Sequence, residues 1–177
     1  MARVTDIYTA ASPAGPAVSQ RSVRAVPGRG LEGDRYYSGT GTFSPSPQKP
    51  DFEATLIQGE HVEAFASTTG LAFTARDARR NLVTRGVDLN ALVGREFRVG
   101  TVLMRGMRLC EPCSHLAKQT YPEVLRGLLH KGGLRAQILS EGEIRVGDPI
   151  SEVPPGRQPD PAPAEGAPLE GPGSQRA

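Results

Sequence analysis

Hydrophobic and polar positions alternate with period two over several short runs of this chain. "RSVRAV", residues 21–26, shows the alternation directly. "FEATLI", residues 52–57, is a compact apolar-rich run that follows the loop "SGTGTFSPSPQKPD". "NLVTRGVDL", "EFRVGTVLMRGMRL", "LRAQIL" and "GEIRVGDPI" read as strands broken by glycine turns. "SEG", residues 140–142, predicts a hairpin turn between the last two. Two segments switch to helical spacing. Residues 58–67 place Val62, Phe65 and Ala66 on one side. A second helix is expected from Thr120, which has capping-box spacing to Glu123, with Val124, Leu125, Leu128 and Leu129 as its apolar stripe. "KGG" then supplies a stop, and Lys131 lies near the negative end of the helix dipole. The pattern is mostly β, and its glycine and proline spacing suits a closed or strongly curved sheet.

The last segment, "SEVPPGRQPDPAPAEGAPLEGPGSQRA", has a different composition. Val153 and Leu169 are its only large apolar residues, too few to offset the entropy of ordering it. The expected organisation is one domain over residues 1–150 and a disordered Pro/Gly/Ala-rich tail over residues 151–177. A domain of that size buries a core without staples. No run is long and apolar enough to span a bilayer, so no membrane partner is expected. "MARVTDIYTA" lacks the apolar region of a secretory signal. Two cysteines make no disulfide framework. A cytoplasmic protein with free thiols is the expectation.

Charge narrows the partners. In the tail, Arg157 and Arg176 stand against Glu152, Asp160, Glu165 and Glu170, which is −2; the whole chain is +2, so the body carries +4. That is mild for a nucleic-acid footprint, and a chain without Trp has few rings for base stacking, so no nucleic-acid partner is expected. The arginines cluster instead: Arg76, Arg79 and Arg80, then Arg105 and Arg108. Such clusters suit an anionic small ligand, although solvated surface charge produces the same pattern.

Three short motifs carry candidate chemistry. "GRGLEG", residues 28–33, has the spelling of a dinucleotide fingerprint, but "DRYYSGTGTF" follows it where a helix should open. Tight turns at positive φ account for these glycines. A glycine-rich turn running into Gly33, Asp34 and Arg35 also offers an anion- or pterin-contacting loop. "ARDARRNLVTRG" sets Arg79, Arg80 and Asn81 at the start of a strand. Arginine grips phosphate bidentately, and an Asn amide both donates and accepts. Strand alternation predicts that only one arginine of the pair faces any one pocket.

"RLCEPCSHLA" holds both cysteines, Cys110 and Cys113. Zinc needs four ligands, and the spacing of His115 and His130 to the cysteines fits no common pattern. A thioredoxin-like dithiol has the right Cys-x-Pro-Cys order but belongs to a βαβ fold. Two buried small hydrophobes are a third reading, which leaves Pro112, His115 and the preceding arginines unexplained. The fourth is a single functional thiolate, lifted off a strand's end by Pro112. That thiolate would be a soft metal ligand or a carrier of sulfane sulfur.

Several blocks, in order, resemble one family. "GLEGDRYY", "RRNLVTRGVDLNALVGREFRVG", "RLCEPCSHLA" and "GGLRAQIL" with "GEIRVGDPI" are similar to the small stand-alone members of the MOSC family, named for the C-terminal domain of molybdenum-cofactor sulfurases. The resemblance spans nearly the whole body and omits the tail. It implies a MOSC-type β-barrel with a few peripheral helices and a pocket for a molybdopterin-type molybdenum cofactor. It also implies that Cys113 ligates molybdenum or carries a persulfide, with Cys110 as support or resolving thiol. Arg79 and Asn81 match the family's cofactor-contacting Arg-x-Asn, and Gly33, Asp34 and Arg35 match its Gly-Asp-Arg loop. Arg35, Arg79 and Arg80 are expected to meet the phosphate and pterin.

The implied reaction is reduction of small N-hydroxylated compounds such as hydroxylamino purines or amidoximes; from the residue itself, His115 is the candidate to supply a proton to the leaving oxygen. No pyridoxal-phosphate desulfurase domain or fused ferredoxin is visible, so pyridoxal phosphate is not expected and electrons must come from a separate donor protein. A sulfur-transfer module and a non-catalytic cofactor-delivery protein are the alternatives.

Overall fold

The computed structural model describes residues 1–155. The chain begins with β1 (Arg3–Thr9), β2 (Val18–Gln20), β3 (Ser22–Val26) and β4 (Gly30–Leu31). A long loop leads to β5 (Ala54–Gln58), α1 (Gly59–Thr69) and β6 (Leu82–Arg85). Then come β7 (Glu96–Val99), β8 (Val102–Leu109), α2 (Ser114–Gln119), α3 (Val124–Gly127), β9 (Leu134–Ile138), β10 (Gly142–Arg145) and β11 (Ile150–Glu152).

Eight strands form one sheet in the order β11-β7-β8-β9-β5-β6-β1-β2, and β10-β3-β4 form a smaller one. Neighbours are antiparallel except β5 and β6, which run parallel and are joined through α1. The large sheet curls into a half-barrel. Its far end returns to β1: Val4 N donates to the Asp148 carbonyl and Ile150 N to the Ala2 carbonyl, both at 2.9 Å. The fold is therefore mostly β, as the periodicity predicts.

Alternation decides which side chains fill the barrel. In β9, Leu134, Ala136 and Ile138 are buried while Arg135 and Gln137 face the other side. β5 and β6 are covered on both faces, as parallel strands usually are. Leu56 and Leu82 join the barrel core. Ile57 and Val83 join a second core, with Val62 and Phe65 of α1, Leu116 of α2 and Val124 of α3. This is why "FEATLI" and "NLV" are apolar-rich rather than strictly alternating. Each fully buried Leu or Ile contributes about 1.5–3 kcal/mol.

Two local expectations change. The turn at 140–142 is not a hairpin: β9 pairs with β5 and β8, and β10 pairs with β3, so the chain crosses between sheets there. Ser140 Oγ fixes that crossing by accepting Leu103 N at 2.8 Å. No helix begins at Thr120. Its hydroxyl donates to the Leu116 carbonyl at 2.8 Å and closes α2 instead. Pro122 disfavours helical backbone at Tyr121, so α3 is short. Val124 and Leu128 of the expected stripe are buried, whereas Leu125 and Leu129 are exposed. β11 runs to Glu152, and Val153 N donates to the Glu96 carbonyl at 3.0 Å. Residues 156–177 of the expected tail lie outside the described residues.

The "GRGLEG" glycines behave as turn residues. Gly28, Gly30 and Gly33 have φ of 76°, 126° and 88°, and no helix follows.

Candidate functional site

Where β8 ends, Cys110 is still held to the sheet. Its N–H donates to the Gly133 carbonyl at 2.7 Å, and the side chain is buried. Pro112 then takes the chain off the ladder. Cys113 follows in extended backbone at the start of α2, with its side chain exposed. Both cysteines line one cavity of about 380 Å³, so the Cys-x-x-Cys pair is asymmetric in exposure but shares a wall.

Among the described residues, five arginines line the same cavity, Arg35, Arg79, Arg80, Arg108 and Arg135, against one carboxylate, Glu111. The expectation that only one of Arg79 and Arg80 faces a given pocket is corrected. Both residues precede β6, and Arg79 sits at φ 56°, in the left-handed region, so strand alternation does not govern them. Arg79 donates to the Gly15 and Pro13 carbonyls at 3.0 and 3.1 Å. Burial, and then the neighbouring Arg35 charge, lower its pKa, with Asp34 opposing. Arg80 donates to the carbonyls of Gly132, Ala78 and Cys110 at 2.9, 3.0 and 3.2 Å. Both arginines thus brace backbone while presenting charge to the cavity.

Asn81 also lines the cavity. Its Oδ1 accepts from Thr55 N and Oγ1 at 3.1 and 3.0 Å, and its Nδ2 donates to the Tyr8 carbonyl at 3.2 Å. These bonds tie together β5, β6 and β1. The Gly-Asp-Arg loop divides its work. Gly33 makes the turn and borders a separate open pocket beside β2 and β3. Asp34 is 3% exposed and is absorbed by Ala10 N at 3.0 Å, Tyr36 N at 3.1 Å and Arg35 at 3.3 Å. Of the three, Arg35 lines the main cavity.

His115, in the first turn of α2, packs edge-on against Phe43, with ring centroids 5.7 Å apart. Among the described residues it has no hydrogen-bond partner. His130 does not line the cavity and faces Glu111, Nδ1 to Oε1 at 3.4 Å. Among the described residues no three His, Cys, Asp or Glu side chains gather where they could hold a metal ion.

Of the arginine clusters visible in the sequence, Arg76 lies over Tyr8 and Arg105 pairs with Glu96 at 2.6 Å; neither lines the cavity. Arg135, Tyr36, Phe43 and Phe52 line it and were not singled out from the sequence. The signal for Arg135 was present: in "LRAQIL" it alternates with Leu134 and Ala136, so it must face away from the barrel core. The aromatics come from the long loop before β5, which has no period to read.

The MOSC domain pattern matches residues 44–151, more than half of the chain. Among curated proteins none matches by sequence. The fold is similar to that of the YuaD protein from Bacillus subtilis, with TM-score 0.72 at 16% identity, covering 84% of this chain and 93% of that one. It is similar to YiiM from Geobacillus stearothermophilus, with TM-score 0.67 at 19% identity, covering 87% and 76%. For YiiM from Escherichia coli the values are 0.63, 21%, 90% and 72%. The match runs from the loop carrying Phe52 through β8 and the Cys110–Cys113 segment to β11, and by it the chain belongs to the MOSC domain family.

Proposed function

We propose that the cavity holds a molybdenum–pterin cofactor with Cys113 as the protein's thiolate ligand, and that the protein reduces N-hydroxylated compounds. One observation carries this reading: an exposed thiol shares a cavity with five guanidinium groups and one carboxylate. A thiolate suits a soft metal, and guanidinium groups suit phosphate and other oxyanions. The donor set therefore fits an anionic metal–pterin ligand. When bound, that cofactor supplies two-electron redox chemistry at a metal with a position left for substrate.

The chain's own residues bind and orient. Arg35 and Arg79 present charge to the phosphate and pterin, and Arg80 fixes the Cys110 carbonyl so that the Cys113 loop keeps its place. Tyr36, Phe43 and Phe52 give flat apolar walls that exclude water from a planar substrate. The imidazole of His115 delivers a proton to the leaving oxygen. In the net reaction the N–O bond breaks, two electrons and two protons enter, an N–H bond forms, and the oxygen leaves as water. A reduced carrier protein of the flavoprotein or ferredoxin class supplies the electrons. Pyridoxal phosphate has no part in this reading.

Protein purified from a molybdenum-replete host tests it. Near-stoichiometric molybdenum with pterin fluorescence is expected. Well-folded protein with little molybdenum and no pterin would end the reading. A sulfur-carrier role is the second reading, supported by the shared wall of a buried and an exposed thiol; it predicts a Cys113 persulfide by mass spectrometry.

A further inference from the structure

Arg108 and Arg135 stand directly opposite each other across the β8–β9 ladder. Like charges at opposed cross-strand positions repel. Asp51 pairs with one member only. Its carboxylate accepts from Arg108 Nε at 2.8 Å, while Arg135 reaches only its backbone carbonyl, at 3.4 Å. Both guanidinium groups lie against the Phe52 ring, 5.7 and 4.7 Å from its centroid, which fixes their orientation. Nε of Arg135 is buried and, among the described residues, has no partner. A buried donor without an acceptor is a costly arrangement unless something else supplies the acceptor. Both side chains line the cavity of Cys113.

The second cationic group, Arg35 with Arg79, lies toward the start of β6. β9 and β6 are separated by β5, so two strand spacings, roughly 10 Å, divide the clusters. The two groups therefore rise from different parts of the cavity wall.

We propose that Arg108 and Arg135 form an oxyanion subsite for the substrate. The substrate class is then a flat N-hydroxylated heterocycle that carries a phosphate ester, as a nucleoside monophosphate does. Phe52 and Tyr36, packed on each other with ring centroids 6.2 Å apart, give that ring an aromatic wall beside the subsite. The N-hydroxyl part rests on the reductase reading; the oxyanion part rests on the arginine geometry alone.

Calorimetric titration of the molybdenum-loaded protein with adenosine 5′-monophosphate, adenosine and inorganic phosphate tests the subsite. The monophosphate should bind at least about tenfold more tightly than adenosine, the scale of one charge-assisted contact. R135Q should abolish that preference and leave molybdenum and pterin content unchanged. R135K, which keeps the charge but loses the fork, should retain part of it. R105Q, outside the cavity, should behave as wild type. Equal affinity for nucleotide and nucleoside in the wild type overturns the proposal. So does loss of pterin together with the preference in folded R135Q, which assigns the pair to the cofactor's own phosphate. Protein that lacks molybdenum yet keeps the preference ends the reductase reading and upholds the subsite.

Discussion

The guanidinium of Arg80 donates to the carbonyl of Cys110 at 3.2 Å, and so joins the segment before β6 to the loop that presents Cys113. Its other nitrogens hold the carbonyls of Gly132 and Ala78. Arg80 is a strut between three pieces of backbone. Lysine has the charge but no planar fork. Arg80→Lys is expected to lower stability by about 1–3 kcal/mol, the range for losing one or two bonds to a charged donor. Alkylation of Cys110 should quicken as its carbonyl is released. Urea melts and mass spectrometry of iodoacetamide-treated protein measure both; no change in either would refute the strut.

The unequal burial of the thiols predicts biphasic reactivity. Protein freed of ligand should show one fast thiol, Cys113, and one slow thiol, Cys110, with Ellman's reagent. Cys113→Ser removes the fast phase. A Cβ at Gly132 would stand 2.4 Å from the Cys110 carbonyl, so Gly132→Ala should displace that carbonyl and accelerate the slow phase. Two equally fast thiols in the wild type are incompatible with this geometry.

Asp34 acts on the site through Arg35. Its carboxylate is bonded to two backbone N–H groups and to Arg35, and the residue is 3% exposed. Asp34→Ala strands those buried donors and should cost about 3 kcal/mol in a chemical melt. Asp34→Asn keeps an acceptor oxygen and should cost less. Equal costs would mean that the charge and second oxygen are irrelevant.

Glu53 gives the stability a pH signature. Burial raises its carboxyl pKa, outweighing the opposing bonds from Ile138 N at 2.7 Å and Gly28 N at 3.1 Å. A folded pKa above the unfolded one means that the native state binds more protons in the window between them, so stability falls as pH rises from the ordinary Glu range of about 4.3 upward. Glu53→Gln does not titrate. The stability difference between wild type and Glu53→Gln should shift against the wild type as pH climbs through that window. A difference that is flat with pH, read by thermal melts, would contradict the assignment.

Where the chain kept a clean period, its sequence was enough. "LRAQIL" alternates without interruption and became β9, with Arg135 on the cavity side by necessity. β1 escaped notice because a bulge between Val4 and Asp6 breaks the period just where it would have been read. The turn at 140–142 has hairpin chemistry, but local residues do not say which strand a strand will pair with, and β10 chose β3. The site was legible in its thiols, because Pro112 forces the chain off the ladder after Cys110. It was less legible in its arginines. Arg79 adopts a backbone region that residue type alone does not foretell, and Arg108 meets Arg135 only once β8 and β9 are in register.

The central claim concerns one sulfur atom. Cys113→Ser and Cys110→Ser, each purified in folded form from a molybdenum-replete host, should differ sharply in bound molybdenum. Cys113→Ser should lose nearly all of it, and Cys110→Ser should retain most, since Cys110 is buried in the wall while Cys113 is exposed. Equal loss from both variants, or full retention in Cys113→Ser, would contradict Cys113 as the metal's thiolate ligand.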